Sequence, residues 1–345
     1  MTSIKNNNIN TIIGIWLLVL TIMVYLIILI GGLTRLTESG LSMVDWKPLL
    51  GMLPPLSHQD WLIVFKEYQK TPEYIIKNFN MELKEFKYIF WWEYFHRLFA
   101  RLIGFVFIIP FIYFLLKRYL SKSLILRLII VLLFGFFQAF VGWWMVKSGL
   151  NNDPYVSQYR LAFHLTNAII ILSILLWLTL NQLIKRNSEE NSFFKIILFI
   201  SITLCLITII SGSFVSGTDA GKSYNTFPLM GGKFIPEGYF IEDSFLKNIF
   251  ENTIAIQFNH RWIAIFSFFW IVASVFYIYY NKITYVQKIA CFTVFILATI
   301  QVIIGILTLI HNVPISLASM HQMNAVLLYC SLLITYYLFS KKRNI

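Results

Sequence analysis

The chain is 345 residues long, 58% hydrophobic and only 13% charged, with a mean hydropathy of +0.71. That profile excludes an ordinary soluble domain and makes the bilayer the solvent. The net charge of +12 follows from where the basic residues fall along the chain, so it is not read as a nucleic-acid footprint.

Apolar runs of about 20 residues, enough to cross about 30 Å of hydrocarbon, lie near 11–33, 96–116, 124–146, 161–183, 194–216, 258–280, 286–310 and 317–339. They predict an all-α integral membrane protein with eight transmembrane helices. The first run follows a polar MTSIKNNNIN and leads into GGLTR with no small-residue cleavage pattern, which reads as a retained helix. Between the first and second runs lies a long outer loop, about 34–92, in which DWLIVFKEYQ and PEYIIKNFNMELKEFKYIF suggest short amphipathic surface helices.

With the N-terminus inside, the inner segments hold 13 basic residues (Lys5; Lys117, Arg118, Lys122, Arg127; Lys185, Arg186, Lys195; Lys282, Lys288; Lys341, Lys342, Arg343) against Glu189 and Glu190. The rest of the chain holds 15 basic and 14 acidic residues. This bias predicts both termini in the cytoplasm. Cys205, Cys291 and Cys330 all fall in predicted spans, so neither long outer loop has a thiol for a disulfide, and the spacing allows no zinc-type cluster.

Four helices recur. Gly32 and Gly212, Pro48 and Pro228, and Gly51 and Gly231 align at an offset of 180. EYFHRLFAR and QFNHRWIAI match His96 with His260 and Arg97 with Arg261 at 164; Gln138 and Gly142 match Gln301 and Gly305 at 163. AFHLTNA and SMHQMNA match His164 with His321 and Asn167 with Asn324 at 157. An even number of spans separates the copies, which predicts a parallel pseudo-two-fold repeat of two tandem four-helix bundles, residues 1–185 and 186–345.

Ionisable groups within spans are costly and usually functional. Each of the four histidines is expected within the first turn or two of an outside-to-inside helix, near the outer face. Two imidazoles on facing helices at equal depth suit a six-coordinate haem iron, with His96 paired to His164 and His260 to His321. Hydrogen-bonded core histidines, or a copper or zinc ion, are the alternatives. Arg97 and Arg261 are candidates for haem propionates or for snorkelling to headgroups. Asn167 and Asn324 share a face with their histidines and would orient them or hold helices together. His58 reads as an exposed loop residue and His311 as structural. Glu93, one turn before His96, has Gln257 as its repeat mate. A carboxylate beside one site only suggests that the first half reacts and the second relays electrons; a helix N-terminal carboxylate is the other explanation.

The motifs GGLTRLTESGLSM, DWKPLLGMLPP, EYFHRLFAR, AFHLTNA, FNHRWIAI and SMHQMNA together resemble the haem A synthase family over essentially the whole chain. The resemblance implies oxidation of the C8 methyl of haem O to a formyl group, through an alcohol and a hydrated aldehyde, to supply haem A to cytochrome oxidase. It implies that His96 and His164 flank the substrate haem and that His260 and His321 ligate a resident haem b. Glu93 would stabilise a cationic methyl group or accept its proton while water supplies oxygen. The setting implied is the cell inner membrane, with a membrane or periplasmic electron acceptor and haem O synthase as expected partners. The absence of an outer-loop cysteine pair places the chain with the proteobacterial and mitochondrial branch. A dihaem b-type electron-transfer cytochrome linked to quinol, and a haem carrier, are the rival functions.

Overall fold

The computed structural model describes residues 2–44, 53–151, 154–184 and 191–340, with side chains from Asn8 onward. Pro48, Gly51, Lys185, Arg186, Glu189, Glu190, the basic residues at 341–343, the side chain of Lys5 and the expected boundary at 185 lie outside the described residues.

In chain order the helices are α1 (Thr2–Leu36), α2 (His58–Tyr68), α3 (Pro72–Ile76), α4 (Leu83–Leu116), α5 (Lys122–Gly149), α6 (Gln158–Leu183), α7 (Ser192–Gly217), α8 (Phe245–Phe250), α9 (Thr253–Tyr279), α10 (Tyr285–Ile310) and α11 (Ile315–Leu338). Among the described residues, α1, α4, α5, α6, α7, α9, α10 and α11 are long and apolar enough to cross a membrane. Their outward faces carry large apolar side chains such as Ile109, Phe199 and Phe269 at 63%, 60% and 65% exposure. In water these faces would aggregate; against lipid tails they carry no penalty.

Starts are set by capping. Ser57 and Asp60 form a capping box on α2, Glu82 and Glu85 one on α4, and Thr284 and Gln287 one on α10. Ser121, Asn191 and Asn252 each accept a backbone N–H at the starts of α5, α7 and α9.

Two compact units can be distinguished, residues 22–171 and residues 1–21 with 172–345. In the second, α7 packs against α9 and α11, and α10 against the same two helices, closing a ring of four. The start of α1 joins the end of α6 through a Thr21–Thr179 hydroxyl pair at 3.1 Å, and Tyr337 of α11 donates to the Leu180 carbonyl of α6 at 2.9 Å.

In the 22–171 unit the loop between the first two spans is shorter than expected, because α1 runs to Leu36 and α4 begins at Leu83. The segment LKEFKYIF is the first part of α4, not a separate surface helix. Phe86, Ile89, Phe90 and Tyr94 recur at helical spacing and form a buried cluster with Trp61 and Tyr68 of α2, flanked by Met43, Phe65 and Tyr74. At 34 residues and 1.5 Å per residue, α4 is about 50 Å long and outruns the hydrocarbon. His96 is consequently 13 residues inside its helix, not in the first turns, whereas His164, His260 and His321 are six or seven residues in. Counted back from the C-terminal end of each helix, the four lie 20, 19, 19 and 17 residues in. For α4 the common depth is visible only from that end.

Candidate functional site

Each unit contains one histidine pair. In the 22–171 unit, His164 of α6 is near enough to His96 of α4 to sense its charge, and in the other unit His260 of α9 is near enough to His321 of α11. All four histidines are half-buried as residues.

Every ring abuts a glycine on another helix. A Cβ on Gly31 would lie 3.3 Å from His96 Nε2, and one on Gly142 would lie 3.0 Å from His164 Cε1. In the other unit, a Cβ on Gly212 would lie 3.2 Å from His260 Cε1 and one on Gly305 would lie 2.8 Å from His321 Cε1. Only a residue without a side chain lets these rings stand so close to the neighbouring backbone. The glycine facing His96 is Gly31, not the Gly32 that sequence alignment set against Gly212. Gly31 and Gly212 each stand five residues before the end of their helix, so the helix ends place this match one residue from the aligned offset.

His164 and His321 are also gripped by a carboxamide chain that occurs in both units. Asn167 Nδ2 donates to Gln138 Oε1 at 2.6 Å and to the Phe134 carbonyl at 3.3 Å; Gln138 Nε2 then contacts His164 Nε2 and donates to the His164 carbonyl, both at 3.2 Å. Asn324 Nδ2 donates to Gln301 Oε1 at 2.8 Å and to the Leu297 carbonyl at 2.9 Å, and Gln301 Nε2 lies 3.2 and 3.3 Å from the two ring nitrogens of His321. The asparagine fixes which way the glutamine amide points, and the glutamine fixes the ring. Gln138 and Gln301 were visible in the sequence only as matched positions. Their place one turn before Gly142 and Gly305 was the available signal. On His260, Ser211 Oγ takes the corresponding role, 2.7 Å from Nδ1.

Glu93 is 2% exposed and three turns inside α4, so it caps no helix; Glu82 and Glu85 do that. Its Oε2 accepts from Ser42 Oγ at 2.7 Å and Met43 N–H at 2.8 Å, and its Oε1 accepts from Arg97 at 2.5 Å. Arg97 also donates to the Met43 carbonyl at 3.0 Å. Gln257, equally buried, accepts from Tyr224 N–H at 3.2 Å and donates to the carbonyls of Gly221 and Tyr224 at 3.1 and 3.0 Å. Arg261 donates to the carbonyls of Thr226 and Tyr224, both at 2.7 Å. In both units, therefore, the residue at 93 or 257 and the arginine one turn later clamp the backbone that leaves the preceding helix. Sequence reasoning considered propionates and headgroups for these arginines and missed the clamp.

His58 is exposed at the start of α2, and His311 is exposed just beyond α10, with Nδ1 3.0 Å from the Leu307 carbonyl. Neither is among the residues gathered at the two pairs.

The donor set fits haem. Each pair offers two imidazoles, and the buried Nδ1 of His164 has no partner of its own. Arg261 Nε is likewise buried and unpartnered, a donor suited to a propionate.

A family model described as cytochrome oxidase assembly protein, COX15-CtaA, matches residues 14–333. The chain is 44% identical to a haem A synthase of Nitrosospira multiformis over 330 residues, 93% of this chain and 91% of that protein. It is 41% identical to one from Nitrosomonas eutropha, covering 93% of this chain and 92% of that protein. It is 44% identical to one from Wolbachia pipientis subsp. Culex pipiens, covering 92% of this chain and 95% of that protein.

Proposed function

The chain belongs to the haem A synthase family, and from that membership we infer that it is a multi-pass membrane oxidoreductase of haem A biosynthesis acting on haem O. We propose further that the reaction converts the C8 methyl of haem O to a formyl group, through a hydroxymethyl intermediate, at the His96/His164 pair. With water as the oxygen source, methyl plus one water gives formyl plus four electrons and four protons. The site must therefore accept protons as well as hold the substrate.

Glu93 is the proposed proton acceptor, or the anion that stabilises positive charge on the oxidised methyl carbon. What supports this is the contrast with Gln257. A neutral amide fastens the loop of one unit, so a carboxylate is not needed for fastening, yet the other unit retains one in a membrane span. His96 and His164 would hold the substrate between α4 and α6, with Gln138 and Asn167 fixing the angle of His164.

His260 and His321 would hold a resident haem b, with Arg261 Nε available to a propionate. Haem b bound there would supply one-electron redox capacity. Ser211, Gln301 and Asn324 would orient its ligands. Arg97, already tied to Glu93 and Met43, would hold the carboxylate in place while serving a propionate of the substrate. We place the chain in the cell inner membrane with both termini cytoplasmic, receiving haem O from its synthase and passing electrons to a membrane or periplasmic acceptor.

The test is to express the chain in a host that makes haem O and lacks haem A, extract haems in acid solvent and resolve them by chromatography with mass detection. Haem A or its hydroxymethyl precursor, present only with the chain, is the expected result. Haem b with untouched haem O would favour the dihaem cytochrome or the carrier.

A further inference from the structure

In the unit that contains residues 172–345, the loop between α7 and α9 turns large apolar side chains outward. Phe234, Ile235, Phe240, Ile241, Phe245 and Leu246 are all more than half exposed. An apolar cluster of this size marks a surface that something other than water covers. The loop is also pinned along the first turns of α9. Phe234 packs on Trp262 with ring centroids 4.9 Å apart, Tyr239 packs on Phe258 at 5.0 Å, and the Tyr239 hydroxyl donates to Asn259 Oδ1 at 2.9 Å. Asn252 Nδ2 donates to the carbonyls of Gly238 and Tyr239 at 2.7 and 3.1 Å.

Those contacts set the depth of the loop. Trp262 stands 17 residues before Tyr279, the last residue of α9, which is about 26 Å along the helix. The hydrocarbon is about 30 Å thick, so Trp262 lies in the aromatic belt at its margin, and the Phe234 ring beside it lies at the same level. Tyr239, level with Phe258, stands about 6 Å nearer the start of the helix. On α9, Trp262, Phe266 and Phe269 are exposed at helical spacing and form one lipid-facing stripe, which Phe234 extends onto the loop. The turn that carries Phe234 also satisfies much of its own backbone. Met230 N–H donates to the Lys233 carbonyl at 3.0 Å and Lys233 N–H to the Met230 carbonyl at 3.2 Å. Gly231 N–H donates to Thr226 Oγ1 at 3.0 Å, and that hydroxyl donates to the Leu229 carbonyl at 2.7 Å. Pro228 and Pro236 have no N–H to satisfy, and Lys233 and Glu237 pair with each other. Backbone tied up in this way costs little where water is scarce.

We propose that the segment 230–241 is a wedge seated in one leaflet of the bilayer, with Phe234 and Ile235 at the upper acyl chains and Phe240 at the glycerol level, and that lipid covers this face. Lipid fits better than a protein arriving from water, because the patch is continuous with the lipid-facing stripe of α9 and reaches the same depth. Such a protein would have to enter the headgroup layer to meet Phe234. Burial of the exposed rings and of Ile235 among lipid drives the insertion. Arg261 donates to the Thr226 carbonyl of the same loop at 2.7 Å, so the wedge also steadies the stretch of chain fastened beside His260. The proposal rests on the spans and not on the reaction.

The experiment places a thiol-linked fluorophore at Ile235→Cys, Phe240→Cys or, as the water-facing control, Asp243→Cys in the full chain reconstituted into phosphatidylcholine vesicles. All three positions are exposed, so the label replaces few contacts of the fold. Cys205 and Cys291 are buried and Cys330 is half-buried, and labelling of the parent chain measures their contribution. Quenching is read with a nitroxide on the lipid chain, placed near the headgroup, and with aqueous iodide. The lipid nitroxide should quench the probe at Ile235→Cys at least about threefold more than the one at Asp243→Cys, with Phe240→Cys between them, and iodide should give the reverse order. Iodide reaching Ile235→Cys and Phe240→Cys as readily as Asp243→Cys would overturn the proposal. So would probes shielded from both quenchers, since that result would mean that protein, for instance a second copy of the chain, covers the patch. Either of the two positions decides the matter by itself should the other variant fail to fold.

Discussion

Around Glu93 the loop after α1 offers donors, the Ser42 hydroxyl and the Met43 N–H, and an arginine completes the set. Around Gln257 the loop mainly offers carbonyls, those of Gly221 and Tyr224, and the amide nitrogen meets both. The two units solve the same mechanical problem, fastening a loop to the top of a helix, with opposite hydrogen-bonding polarity. The solution at 257 shows that such a loop can be fastened without a carboxylate. A charge kept in a span at a solvation cost is then best explained by chemistry.

The histidine pairs separate the units most sharply. His260→Ala or His321→Ala is expected to abolish the low-spin haem b spectrum of purified protein. His96→Ala or His164→Ala is expected to retain that spectrum and abolish haem A formation. Loss of haem b from all four variants would erase the distinction between resident and substrate sites.

Glycine variants test the same contrast, since Gly305 faces His321 and Gly31 faces His96. A Cβ on Gly305 meets His321 at 2.8 Å, inside the limit real Cβ contacts reach, whereas one on Gly31 meets the far end of the His96 ring at 3.3 Å. Gly305→Ala should lower haem b content about tenfold by displacing a ligand ring, and Gly31→Ala should change it little. Equal losses would show that ring position is not what these glycines protect. Smaller again is the carboxamide chain. Asn324→Ala frees Gln301 to rotate and should shift the haem b midpoint potential measurably without loss of haem, whereas Asn167→Ala should leave that potential unchanged and slow turnover.

Much of this was legible in the sequence. Apolar length placed the spans to within about five residues, except at the start of α1, which lies nine residues earlier, and at α4, where the charges of LKEFKYIF disguised a helix that extends onto the Trp61 and Tyr68 cluster. Repeated spacing picked out the four histidines and the Glu93/Gln257 difference, since duplication preserves register. The carboxamide arms were not legible, because a glutamine in an apolar span can face any neighbour until helix rotation is known. Nor was the arginine clamp, which depends on the path of the loop and not on spacing. The one-residue difference at Gly31 arises for the same reason: alignment weighs letters, whereas packing obeys the distance to the helix end.

Glu93→Gln bears most directly on the central claim. The amide can still accept from Met43 N–H and meet the Ser42 hydroxyl, much as Gln257 meets its own loop. It leaves Arg97 without its carboxylate, at a cost of about 3 kcal/mol, so bound haem b must be read alongside product. The prediction is a protein that retains full haem b and accumulates haem O with haem A reduced at least a hundredfold. Full haem b together with undiminished haem A would contradict the account and make Glu93 a fastener like its counterpart.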